Sequence, residues 1–156
     1  MTDAVVVALR VRADPARTFA VFTEEIALWW RPNAMFAATP LSPGRLAFEP
    51  GPNGRLVEHL ANGKAFEIGR VRVWEPPHRL VFGWRAATFA PDMDGEVEVT
   101  FQPVGAETRV SVTHRGWLKV PQSHVARHGI PDRIFLQRYG VWWTALLAAM
   151  AGATQG

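Results

Sequence analysis

Two side chains stand where acid–base chemistry inside a fold would need them. In "TRVSVTH", Val110, Val112 and His114 alternate with Arg109, Ser111 and Thr113, so the imidazole belongs to the dry face of a strand. Left unpaired there it would cost roughly 1–3 kcal/mol, so it needs a backbone carbonyl, a polar side chain or a ligand. In "RLVEHL", Glu58 shares parity with Leu56 and Leu60, which turns a carboxylate inward; the other parity would turn in His59 with Arg55 and Val57. If Glu58 and His114 converge, they make one polar spot in an apolar cavity, the ordinary design of a small-molecule site. Structural pairing is the plainest use of that spot, and proton transfer is another.

Two more histidines, His124 and His128 in "SHVARH", have the i, i+4 spacing that puts metal ligands on one helical face. Position 125 is valine, not the glutamate of an HExxH site, and the chain has no cysteine. No metal is expected, and the segment reads as a solvated helix or loop covering a cavity. With no glycine-rich phosphate loop and no serine-centred nucleophile elbow, no cofactor is expected either.

The remaining candidates are aromatic or aliphatic. Leu80, Phe82 and Trp84 share one parity and face the same side as Val97 and Val99. Each buried indole removes on the order of 150–250 Å² from water, and its N–H wants an acceptor. Core packing is the plain use of this face; lining a cavity is the alternative. Trp74 cannot be placed by parity, because Val71 and Val73 compete for the inner side. Trp29, Trp30 and Phe36 close an early helical stretch, while Tyr139, Trp142 and Trp143 lie on a terminal one. Adjacent helical residues point about 100° apart, so one tryptophan of each pair is expected at the centre of the buried stripe. The other is expected to be partly exposed, to line an opening, or to join a homodimer interface.

The elements that must position these residues follow from periodicity. Val5–Val11 reads as a first strand, then Asp14 as a cap with Pro15 at the first helical position, and Phe19, Phe22 and Ile26 at helical spacing. A break near Thr23 or Glu24 precedes a second short helix that ends through Pro32. From Pro43 short apolar runs alternate with turns, giving an antiparallel meander. Asn62-Gly63 is a hairpin turn because both residues accept positive φ, and Pro76-Pro77 is a rigid one. Arg133–Ala151 carries a broad apolar stripe and forms a long helix covering the dry face of the sheet. The fold class is α+β: about six to seven curved antiparallel strands around a long C-terminal helix, with two short helices after the first strand.

A chain of 156 residues with 48% hydrophobic composition suits one domain spanning 1–156. The net charge of +3 is scattered, which argues against nucleic-acid and membrane partners. The absence of cysteine and of a basic leader before "VVVAL" makes a cytoplasmic location the default expectation.

Asp14-Pro15-Ala16 with Phe19, Trp29-Trp30, "GRLVEH", "GRVRVWEPPHRLVFGW", "VEVTFQPVGAETRVSVTHRGW" and "YGVWWTALLAAM" occur in an order that resembles the helix-grip fold of the START-related, Bet-v-1-like superfamily, SRPBCC. More narrowly the chain resembles homologues of the activator of the heat-shock-protein-90 ATPase. The 117–133 stretch is longer and richer in His and Pro than a minimal connection. The resemblance implies a binder of apolar or aromatic, lipid-like small molecules between sheet and helix, and a chaperone partner by likeness only. The competing readings are a cyclase- or hydratase-like enzyme using Glu58 and His114, and a cochaperone-like protein-binding domain. The expected cavity residues are Trp30, Phe36, Glu58, Leu80, Phe82, Trp84, Val97, Val99, His114, Tyr139, Trp142 and Trp143.

Overall fold

Local chemistry sets the first helix. Asp14 Oδ1 accepts the Arg17 N–H at 2.8 Å, and Pro15 opens α1 (Pro15–Glu24). This cap follows β1 (Val5–Val11); Glu25 interrupts the helix, and α2 (Ile26–Trp29) completes the pair. The computed structural model describes residues 4–156, so the first three residues of the expected domain lie outside the described ones.

The meander consists of β2 (Arg45–Phe48), β3 (Arg55–His59), β4 (Ala65–Glu75), β5 (Arg79–Trp84), β6 (Gly95–Val104) and β7 (Glu107–Arg115). With β1 it forms one antiparallel sheet of seven strands in the order β1-β7-β6-β5-β4-β3-β2. The two helices therefore connect the strands at opposite edges. Period-two alternation aligns the inner side chains in rows: Val5, His114, Val97 and Phe82 in one, Val7, Val112, Val99 and Leu80 in the next. The long helix α3 (Asp132–Ala153) packs on this face through Phe135, Tyr139, Trp143, Leu146, Leu147 and Met150.

One open placement is resolved, one turn is corrected and one helix face proves wider than the sheet. A β-bulge between Val71 and Val73 breaks the alternation, so Val71 and Trp74 both turn inward and Val73 does not compete; Trp74 then meets Phe19 edge-on at 5.3 Å. In the 60–64 turn only Gly63 has positive φ, at 83°, while Asn62 uses its side chain to accept the Lys64 N–H at 3.0 Å. On α3 both Trp142 and Trp143 are buried. The stripe is wider than a sheet alone would cover, because the chain after α2 wraps the helix and Arg31 O accepts the Trp142 N–H at 3.1 Å.

The outer face of the sheet is a ladder of ion pairs, Arg72–Glu96–Arg115–Glu98–Arg79, with N–O distances of 2.8 to 3.3 Å. These pairs are partly exposed and screened, so they contribute modestly.

Curvature depends on a close approach of two strands. A Cβ on Gly69 would lie 1.8 Å from Gly83 O, a backbone atom that cannot give way, whereas one on Gly140 in α3 would meet only Val5 Cγ1 at 3.5 Å. Gly69→Ala should therefore lose about 3 kcal/mol or more in urea unfolding. Gly140→Ala should be neutral or stabilising by up to about 1 kcal/mol in the same measurement.

Candidate functional site

The space between α3 and the sheet is filled by rings. Trp30 lies 5.4 to 5.8 Å from Trp84, Trp142 and Trp143, mostly edge-to-face. Phe36 stacks on Trp142 at 5.4 Å and meets Tyr139 at 4.6 Å. Leu80, Phe82, Val97 and Val99 are completely buried beneath these rings. Of the expected cavity residues, these four together with Tyr139 and Trp143 sit in the packed core rather than beside free volume.

His114 is the polar centre of that core. Trp143 Nε1–H donates to His114 Nδ1 at 3.2 Å, both groups buried. An indole can only donate, so Nδ1 carries no proton. Trp84, Trp117 and Tyr139 surround the imidazole at 5.0 to 5.6 Å. Desolvation alone lowers its pKa to about 3.

Glu58 is also buried, as its parity with Leu56 predicted, but it serves a different wall. Its Oε1 accepts the Thr39 hydroxyl at 3.0 Å and its Oε2 the Gly44 N–H at 2.9 Å, which ties the 39–44 loop to β3. A void of only about 20 Å³ adjoins it, between Trp30, Trp84 and Trp142. His114 does not line that void, so the two polar groups are not brought into one shared pocket.

A second opening lies at the mouth of the grip. A cavity of about 190 Å³ has a buried floor of Phe36, Trp84, Ala86 and Trp117 and an exposed rim of Ala34, Thr88, Val125 and His128. Phe36 and Trp84 were legible as candidates. Trp117, Phe89, Ala86 and Val125 were missed, because they lie in connections where no alternation marks an inner face. The only sequence signal was the unusual length of the 117–133 stretch.

That stretch roofs the cavity. His124 and His128 do not share a helical face: they flank a single 3-10 turn, Val125–Arg127, with His128 in the left-handed region at φ 51°. His124 Nε2 donates to Thr88 O at 2.9 Å, and His128 Nε2 donates to Met35 O. Arg127 is buried beneath them, donating to Val120 O at 3.0 Å, Ile130 O at 2.9 Å and Asp132 Oδ1 at 2.7 Å, with its guanidinium over the Phe135 ring. No cluster of three His, Cys, Asp or Glu among the described residues has the arrangement of a metal site. No helix among them is long and apolar enough to cross a membrane.

The family described as "Activator of Hsp90 ATPase homolog 1-like protein" matches residues 12–148. Similar solved structures include protein MLL2253 from Mesorhizobium loti, at 18% identity and TM-score 0.66 over 96% of this chain and 94% of that one. The anthrahydroquino-gamma-pyrone synthase Txn09 is similar at 28% identity and TM-score 0.57, over 96% and 95% of the two chains. The Aha1 dimer from Colwellia psychrerythraea is similar at 15% identity and TM-score 0.64, over 97% and 95%. None of the curated proteins matches.

Protonation of His114 links the core to pH. The unfolded chain binds a proton below about pH 6.5 that the folded chain refuses until about pH 3. Stability is thus full above pH 6.5 and falls through that window, by up to about 1.4 kcal/mol per pH unit from this residue. Glu98, held below the usual carboxylate range by hydrogen bonds from Arg79 and then Arg115, acts in the same direction at lower pH. Urea unfolding of wild type and His114→Gln between pH 4 and 7.5 separates the two, and the variant should show the shallower acid slope.

Proposed function

The chain belongs to the Activator of Hsp90 ATPase homolog 1-like family, and on that premise we propose that it binds an aromatic small molecule in the cavity at the mouth of the grip. The observation that carries this reading is the floor itself: Phe36, Trp84 and Trp117 offer ring faces and edges to a space of about 190 Å³ that reaches an exposed rim. An apolar cavity of about 150 Å³ is known to hold a benzene ring, so this volume suits one or two fused rings. The polar rim, Thr88 and His128 with the loop carbonyls beside them, suits an oxygen substituent at one end of the ligand. Txn09, whose name describes a synthase of a fused aromatic, supports a planar ligand class for this architecture.

A proton-transfer role for Glu58 and His114 has less support, because each already has protein partners and they occupy different walls. A chaperone partner rests on the family description alone.

The binding reading is tested with 1,4-naphthoquinone, an indole quencher usable here because the chain has no cysteine thiol to add to it. Wild type should show saturable tryptophan quenching and a thermal shift that grows with probe concentration. Ala86→Phe, which fills the floor, should weaken binding by about tenfold or more while the protein stays folded. Equal, unsaturable quenching of both proteins would remove the reading.

The exposed apolar side chains of the helices favour one further use. Leu28 on α2 is 66% exposed and Val141 on α3 67%, and the two helices pack together. A second copy covering this face fits them, as the dimeric state of the Colwellia relative suggests. Sedimentation should show a dimer for wild type and a monomer for Val141→Glu; a monomeric wild type at high concentration ends this reading.

A further inference from the structure

Residues 120–130 form a compact loop of the Ω type, with its ends close together and a side chain of its own at its centre. That side chain is Arg127, whose guanidinium joins Val120 O at one root to Ile130 O at the other. The same guanidinium donates to Asp132 Oδ1 at 2.7 Å and lies over the Phe135 ring, so the brace also ties the C-terminal root of the loop to α3. Its attachments across the cavity are of another kind. His124 Nε2 reaches Thr88 O and His128 Nε2 reaches Met35 O, single bonds from an exposed roof to the two opposite walls of the mouth. Phe89 adds edge contacts to His124 at 5.7 Å and to Trp117 at 6.1 Å.

We infer that this loop is a lid latched by His124 and His128 and braced by Arg127, and that it lifts as one body to admit the ligand. The inference rests on the binding reading above for what passes beneath it. Three observations favour a roof that opens over a fixed wall. The backbone just before it turns at Gly116 (φ 100°), a residue type whose conformational range suits a pivot. Trp117 Nε1 and Arg127 Nε are buried without an acceptor among the described residues, so the closed position forfeits hydrogen bonds that water would supply on opening. The floor is also buried although the rim is exposed, so a ring wider than the present mouth enters only when the roof rises.

The latch variants are chosen to spare the fold. His128→Asn keeps a residue that tolerates positive φ but is too short to reach Met35 O. His124→Phe keeps a ring against Phe89 and loses the bond to Thr88 O. Hydrogen exchange at the Trp117 indole N–H, buried without an acceptor beneath the roof, reports opening without any ligand. In the double variant this indole N–H should exchange about tenfold faster while the strand amides of β6 and β7 keep their protection. Stopped-flow quenching by 1,4-naphthoquinone should show association and dissociation both accelerated several-fold in His124→Phe, a residue that does not line the cavity, with Kd changed by less than about threefold. Unchanged exchange of the Trp117 indole N–H overturns the lid. Accelerated exchange in a protein that does not bind the quinone upholds the lid and overturns the ligand reading, so the two fail separately.

Discussion

The interface between the terminal helix and the sheet turns on one buried hydrogen bond, Trp143 Nε1–H to His114 Nδ1 at 3.2 Å. Apolar packing is non-directional, so aliphatic contacts alone would hold a helix on a sheet without fixing its rotation. An indole N–H aimed at one lone pair does fix it. With Trp143 set, helical geometry places Tyr139, Leu146, Leu147 and Met150 on the same side, against the strands. Trp142 is then carried around to the chain after α2, where Arg31 O meets it. The bond requires an imidazole with an unprotonated Nδ1, and burial supplies that state. The rows of Val97, Val99, Val110 and Val112 that bury His114 therefore also preserve its capacity to accept.

This arrangement determines where free volume can lie. Five tryptophans and their neighbouring rings meet at centroid distances of 5 to 6 Å between helix and sheet, a packing that leaves little room. The cavity is displaced to the end of the sheet, where Trp84 closes β5 and the chain leaves regular pairing. There the last turn of the grip is replaced by connections: the 34–40 loop, the 85–89 loop and the roof of 117–131. The site consequently has a rigid aromatic floor and walls drawn from segments with fewer constraints, a common division between scaffold and function.

The sequence revealed most where side chains alternate on regular backbone. The parity of Leu80, Phe82, Trp84, Val97, Val99 and His114 is the parity of the structure, and so is the inward turn of Glu58. Trp74 was undecidable because a bulge resets the alternation, and nothing in "GRVRVW" announces an extra residue. Trp142 lines an opening, one of the uses expected of the second tryptophan, and its burial was not legible because a helical wheel assumes one partner surface whereas here a loop supplies a second. The cavity itself escaped, since its residues come from Phe36, Ala86, Trp117 and Val125, separated in the chain and joined only by the folding of irregular backbone. His124 and His128 showed a helical spacing that a single 3-10 turn does not honour, so their shared task is to span the mouth from opposite ends of that turn.

Glu58 and His114 are both buried polar groups engaged by the protein itself. A general acid or base must turn a lone pair or a proton toward the reacting atom. Both Glu58 oxygens accept from the 39–44 loop, and His114 Nδ1 accepts from α3, so each group is committed to a structural bond. Glu58 still shapes the site, because Thr39 and Pro40, on the loop it fastens, are walls of the cavity. Its carboxylate acts through position, by holding a wall at a fixed distance from Trp84. The groups that face the opening are rings, small alanines, and the rim side chains Thr88 and His128. These are the groups that the proposed aromatic ligand would meet, ring faces on the floor and polar side chains at the mouth.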